Sequence, residues 1–564
     1  MKTVFYLLLI FTSNMLGCVS SGPADLLLIN GNIHTADNTN PFAEAVGVRN
    51  GIIIFAGDNG QALKLKGEKT EVIDLEGKLM TPGFIEGHGH FIGMGYNLLN
   101  LDLSEASSYE EVVARVQDQV ETGNPGEWII GRGWHQNKWD QIPESLHKGF
   151  PTHQLLSAIS PDNPVYLRHA SGHAVLVNKK AMEMAGIDED SQSGEGGEII
   201  LDPDGNPTGI FTETAMGLFS VFLPENDTES DEKAYQMALN NCLKEGITSF
   251  HDAGAGMPAI GLYQRMINKG EAMVRLYVML DGSDSALMEH WFSTGPEIDT
   301  VDHLLTVRSI KTYMDGALGS RGAWLIEPYS DRSDHWGYAV SSSDFIEKIS
   351  GRAIETGFQV CTHAIGDRAN RETLDIYESV FSRYPEGRNS RFRIEHAQHL
   401  DPEDIPRFAR LGVLPAMQAI HMSSDRPWAL DRLGERRIVE GAYVWQDLLQ
   451  SGARIINGTD VPVEPISPVA CFYASVTRKT LKGFPPEGYE PEQKMTREQA
   501  LRSYTIEAAY GAFEEEIKGS VTKGKLADFT VFSQDIMSIP EDEILNTRVV
   551  MTIIGGTVAY ESDP

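Results

Sequence analysis

The feature that most constrains this chain is a recurrence of short apolar runs that end on or near polar side chains. Residues 246–251 (GITSFH), 308–314 (RSIKTYM), 358–363 (FQVCTH), 392–396 (FRIEH) and 454–457 (RIIN) are of this kind. Helix-like stretches such as 231–244 and 343–355 lie between them. Parallel strands need a crossover long enough to hold a helix, so this alternation indicates a parallel sheet. Over 81–514 the expected fold class is α/β, a (β/α)8 TIM-type barrel. Such a barrel needs roughly 250 residues, so an insertion is expected, around 101–226.

The two ends read differently. Residues 24–33, 43–57, 72–79, 527–532 and 549–560 are strand-like. Asn30-Gly31, Asn50-Gly51 and Gly555-Gly556 sit where tight hairpin turns are expected. Strand-rich ends around a long middle predict a composite β-sandwich built from 19–80 and 515–564. Ahead of it, Lys2, the apolar run 4–11 (VFYLLLIF) and Met15-Leu16-Gly17-Cys18 form a signal-peptide pattern over 1–18. The last four residues resemble a bacterial lipobox, which predicts export and lipidation of Cys18. The expected location is the cell envelope, held by a lipid anchor only. Val19 in place of a retention aspartate favours the outer membrane. With an incidental cysteine the protein would be periplasmic or secreted.

Charge and cysteine usage exclude several classes. With 47 basic and 80 acidic residues the net charge is −33, which argues against a nucleic-acid partner. Cys18, Cys242, Cys361 and Cys471 contain no CxxC pair, so neither a disulfide scaffold nor a thiolate zinc cluster is expected.

The strongest local signal is 82–90 (PGFIEGHGH), an apolar strand that ends in His88-x-His90. Residues i and i+2 of a strand share a face, so both imidazoles can reach one ion. Lys311, His363, His396 and Asp460 fall in or just after later apolar runs. The C-terminal strand ends of a barrel converge on one mouth. These six residues are therefore expected to ring one or two divalent metal ions, with zinc the first choice for nitrogen and oxygen donors.

At this point the chain resembles the amidohydrolase superfamily, in the family 3 branch that includes the N-substituted formamide deformylases. The resemblance rests on 81–90, 131–139, 201–215, 245–254, 311–323, 362–370, 393–399, 457–465 and 518–532. It implies that His88 and His90 bind one ion and His363 and His396 a second. It implies that Lys311 is carboxylated by CO2 and bridges the ions. Asp460 would ligate a metal and act as the catalytic proton carrier. The implied activity is hydrolysis of a non-peptide C–N bond in a small-molecule amide, formamide or cyclic amide.

Trp134, His173, Arg321 and His421 are candidates for substrate binding, because they fall in segments expected at the barrel mouth. His135, Glu213 and Asp252 fall in similar segments, and Asp528 reads as structural. A deaminase or lactonase-like hydrolase could use the same residues. A membrane-anchored binding protein with an inactive barrel is the alternative of another class.

Overall fold

The computed structural model of the chain describes residues 22–141, 143, 146–194, 196–224 and 227–563. The expected signal peptide and Cys18 lie outside them.

Eight of the nine strands of the central sheet follow one another in chain order, the ninth (Glu297–Thr300) pairing antiparallel at its side. The eight are β1 (Phe84–Gly89), β2 (Ile247–Ala255), β3 (Arg275–Asp281), β4 (Leu305–Tyr313), β5 (Gln359–Ala364), β6 (Arg393–His396), β7 (Leu414–Met417) and β8 (Ile456–Asn457). Each pairs in parallel with the next. The sheet nearly closes into a barrel, and residues just past β8 complete the seam with β1. Asp460 N–H donates to the His88 carbonyl at 2.8 Å, and His90 N–H donates to the Val461 carbonyl at 2.7 Å. The Glu86 carboxyl accepts from Thr459 N–H at 2.6 Å and from its hydroxyl at 3.0 Å. Burial raises the Glu86 carboxyl to about 8. A Cβ on Gly458 would overlap Glu86, so only glycine lets the two edges approach this closely.

The crossover helices follow the apolar periodicity. Thr228–Lys244 is capped by Asp227 and Ser343–Thr356 by Ser342, each side chain accepting from a first-turn N–H. Leu239, Cys242 and Leu243 of the first, and Ile346, Ile349 and Ala353 of the second, are buried in the main core.

Between β1 and β2 lies a second, six-stranded sheet. Its spatial order is Gly197–Leu201, Pro207–Glu213, Ala174–Val177, Val165–His169, Ile129–Trp134 and Leu101–Asp102. It has its own apolar clusters, around Trp134, Leu167 and Ile210 on one side and Val175, Phe211 and Phe219 on the other.

The chain ends supply two further sheets. One contains Leu26–Ile29, Ala45–Arg49, Ile52–Gly57 and Glu71–Asp74. The other joins Asn32–His34, Phe42–Ala43 and Leu79–Pro82 to Phe529–Phe532, Val549–Ile554 and Thr557–Glu561. Leu26, Val46 and Ile53 of the first share one cluster with Met80, Phe529 and Ile553 of the second.

Asn50-Gly51 and Gly555-Gly556 form hairpin turns, with φ of 49° and 74°, and 56° and 75°. Asn30-Gly31 does not. There the chain leaves one sheet and enters the other, because Leu26–Ile29 pairs with Ala45–Arg49 and Glu71–Asp74 while Asn32–His34 pairs with Leu79–Pro82. Asn30 takes a φ of 55°, so the local turn chemistry was present and the sheet switch used it.

The end sheets are tied to the barrel by one buried ion pair. Arg275 of β3 grips Asp528 through Nε at 2.8 Å and Nη2 at 2.9 Å, both side chains being about 5% exposed or less. Removing one partner of a buried pair leaves an uncompensated charge, at a cost of about 3–5 kcal/mol. Asp528→Ala is therefore expected to lower the denaturation midpoint by that equivalent. A loss below about 1 kcal/mol, the range of exposed pairs, would remove this tie from the fold's essential contacts.

Candidate metal centre

The barrel mouth is built from residues whose backbone would otherwise point elsewhere. His396 at the end of β6 and Asp460 after β8 have φ of 74° and 59°. Non-glycine residues rarely adopt this left-handed region, and when they do the surroundings must hold them there. Here it turns both side chains into the mouth. His88, His396 and Asp460 each bring one ligand atom within 4.8 Å of the others. His90 Nε2 lies 3.2 Å and His88 Nε2 lies 3.6 Å from Asp460 Oδ1. Lys311 Nζ is 3.3 Å from His88 Nε2. The His363 ring sits 4.4 Å from that of His396.

Three of these histidines are held through Nδ1, which leaves the Nε2 lone pair available. His88 Nδ1–H donates to Glu395, His90 Nδ1–H to the Ala253 carbonyl at 2.9 Å, and His396 Nδ1–H to Gln418 Oε1 at 2.7 Å. This arrangement, in which an outer partner fixes the tautomer, is what a metal-ligating imidazole requires. Burial lowers His88 to about 4 and holds His363 and His396 well below the usual histidine value, so all three are neutral near pH 7.

Glu395 is itself held. Arg393, two residues earlier on β6 and on the same face, donates Nε to Oε1 at 2.7 Å and Nη2 to Oε2 at 2.9 Å. Burial alone would raise the Glu395 carboxyl, but Arg393 and His88 hold it well below the carboxylate range. Arg393 also reaches the Gly87 carbonyl at 2.7 Å and His251 Nδ1 at 3.1 Å.

Lys311 is 1% exposed, and burial lowers its ammonium. Lys311 makes no ion pair with Asp315, four residues on, among the described residues. Asp315 instead accepts the backbone N–H groups of Ile365, Gly366 and Trp324 at 2.8–2.9 Å, and its Oδ1 lies 3.7 Å from His363 Nε2.

Buried polar atoms without a hydrogen-bond partner cluster here. They include His363 Nε2, His421 Nε2 and Asp460 Oδ1. Orphaned donors and acceptors at one point are costly, and neutral imidazoles with a carboxylate are a suitable donor set for a divalent ion. The residues present therefore fit such a metal.

A cavity of about 760 Å³ stands over this centre. His88, His90, Lys311, His363, His396 and Asp460 all line it from the barrel, and Arg132, Arg168, His173 and Glu213 line it from the inserted sheet or the loops beside it. His173 Nδ1 pairs with Glu213 Oε2 at 2.7 Å. His421 lines a smaller adjoining recess, with Nε2 3.9 Å from Asp460 Oδ2.

Two candidates for substrate contact are corrected by their surroundings. Trp134 is fully buried in the core of the inserted sheet, where its indole N–H donates to the Leu167 carbonyl at 2.8 Å. Arg321 pairs with Asp331 at 2.8 Å and donates to the Lys148 carbonyl at 3.1 Å, and it lines neither cavity. Asp252 acts one step back, accepting from Phe91 N–H at 2.8 Å and from the Tyr263 hydroxyl at 2.7 Å. Cys361 packs against Ala253 and Met279 inside the barrel. Arg393, Gln418, Arg132 and Arg168 were not singled out from the sequence. For Arg393 the signal was available, in the i, i+2 spacing to Glu395 on a barrel strand.

Comparison with known proteins agrees with this geometry. A model of the amidohydrolase family matches residues 71–560. The chain is 32% identical to Protein LONG AFTER FAR-RED 3 of Arabidopsis thaliana, over 95% of this chain and 92% of that one. It is 28% identical to the N-substituted formamide deformylase of Arthrobacter pascens, over 95% and 98%. The crystal structure of an uncharacterized metal-dependent hydrolase from Pyrococcus horikoshii OT3 superposes with a TM-score of 0.73 and 27% identity, covering 92% and 99%.

Loss of an outer-sphere partner typically weakens metal binding about 10–100-fold. Glu395→Gln is expected to do so in a chelator competition, and Gln418→Leu to act in the same direction through His396. Unchanged affinity in both variants would remove the orienting role assigned to these residues.

Proposed function

Because the chain belongs to the amidohydrolase family, a group of hydrolases acting on C–N bonds other than peptide bonds, we propose that it hydrolyses an amide, formamide or cyclic amide at a two-metal centre in the barrel mouth. The observation that carries this reading is the convergence of His88, His396 and Asp460 ligand atoms within 4.8 Å, with Lys311 Nζ 3.3 Å from His88.

His88, His90 and Asp460 would hold one ion, and His363 and His396 the other. Lys311, carboxylated, would stand between them. Its lack of a carboxylate partner among the described residues supports that reading, since an ammonium cannot ligate a cation. Zinc suits these donors. When bound, such ions supply a Lewis acid that polarises the carbonyl and lowers the pKa of water toward neutrality.

The remaining work falls to the chain's own side chains. Asp460 takes the proton of the attacking water and delivers it to the leaving nitrogen. The C–O bond forms first, by addition of the water oxygen to the carbonyl carbon, and the C–N bond breaks once the nitrogen has taken the proton from Asp460, giving an acid and an amine. Glu213 accepts from His173 Nδ1 and, against the effect of burial, raises the pKa of that ring, whose protonated form has an Nε2–H to donate to the substrate oxygen. The inserted sheet roofs the centre and limits bulk water, which strengthens every charge interaction beneath it.

Metal analysis of the full chain after supply of zinc and bicarbonate tests this reading, together with turnover of a panel of N-formyl and N-acyl amines. About two equivalents are expected, from the two-ion arrangement, and both metal and turnover are lost in His88→Ala/His90→Ala. About one equivalent with turnover would keep the hydrolase and remove the bridging role of Lys311. A folded chain that binds no metal would overturn the reading.

A further inference from the structure

Arg132 and Arg168 are in-register neighbours on the parallel strands Ile129–Trp134 and Val165–His169. Their guanidinium tips converge on Gly172. A Cβ placed there would lie 3.6 Å from Arg132 Nη2 and 4.0 Å from Arg168 Nη2. Gly172 has a φ of 78°, a backbone conformation that favours glycine. Both arginines line the large cavity above Asp460.

Their partners set them apart. Arg132 Nη2 donates to the Ala170 carbonyl at 2.9 Å. Arg168 Nε and Nη2 both donate to the Gly172 carbonyl at 3.3 Å. Arg132 Nε is buried with no partner. No ion pair among the described residues involves either side chain. The chain holds 80 carboxylate side chains against 47 cationic ones, and it pairs its buried arginines with them. Arg275, Arg393, Arg426 and Arg478 each have an aspartate or glutamate within 3.0 Å. Two adjacent like charges, one half-buried and one exposed, repel each other, and an anion between them relieves that repulsion. Burial and the neighbouring Arg168 already pull Arg132 down to about 9.

We propose that Arg132 and Arg168 form an anion subsite in the cavity roof, and that the substrate is an amide bearing a carboxylate which this pair grips while the C–N bond lies over the barrel mouth. The inference rests on the hydrolytic reading above and adds the charge of its substrate. Planar guanidiniums present paired N–H donors that match the two oxygens of a carboxylate. The cavity of about 760 Å³ is large enough to hold the anchor and the reacting amide together.

The test is calorimetric binding to the zinc-supplemented full chain. The probes are N-acetyl amino acids of both hands, each paired with its uncharged carboxamide. Wild type is expected to favour the carboxylate by at least about 10-fold, the scale of one charged hydrogen bond, and less so at high salt. Arg168→Met, at a solvent-facing position, is expected to lose about 10-fold toward the carboxylate and to leave the carboxamide nearly unchanged. Arg168→Glu should reverse the preference toward amides bearing an ammonium. Arg132→Met should repeat the Arg168→Met result wherever it folds. Equal binding of each pair by wild type, or equal loss on both probes in Arg168→Met, overturns the proposal. Turnover is scored separately. Carboxylate-selective binding without hydrolysis of any probe would count against the hydrolytic reading and leave the anion subsite standing.

Discussion

The barrel depends on one buried contact, the clasp of Glu395 between Arg393 and His88. All three side chains are essentially inaccessible to solvent. An ionised pair in such a place is tolerable only when its donors and acceptors are satisfied. Arg393 meets that condition by reaching Glu395, His251 and the Gly87 carbonyl at once. The same contact joins β6 to β1 through the barrel interior and sets the tautomer of the histidine at its centre. Packing, strand order and the chemistry of the mouth thus share one network.

The inserted sheet gives the mouth its character. A barrel alone would present the histidines and Asp460 to open solvent. The insertion places a second wall above them and adds groups of opposite kind. The floor is rich in neutral imidazole and carboxylate, while the roof holds two guanidiniums and the His173–Glu213 pair. A ligand spanning the cavity meets both environments, which orients it before any chemistry begins.

Much of this was legible in the sequence because it depends on short-range rules. Apolar runs closed by histidine, lysine or aspartate identify strand ends, and parallel topology makes those ends converge. His88, His90, Lys311, His363, His396 and Asp460 do meet in one cavity. Trp134 and Arg321 were misread because position near a mouth loop does not reveal which way a side chain turns. An indole finds an apolar core and a carbonyl, and a guanidinium finds Asp331. Arg132 and Arg168 gave no signal, since nothing local tells that their strands will lie over a barrel mouth formed by residues up to 330 positions away. The Asn30-Gly31 turn carried the correct backbone preference but not the information that its flanking strands belong to different sheets.

The seam between β1 and β8 has a consequence for how the molecule holds its shape. The last strand contributes only Ile456–Asn457, so the cylinder is joined there by a few bonds around Glu86, His88 and Thr459. His88 stands on one lip of that joint and Asp460 on the other. An ion shared by the two would work as a rivet through the weakest stave of the barrel. Loading the centre and locking the cylinder would then be a single event, and the enzyme would be most rigid at the moment it is equipped to act.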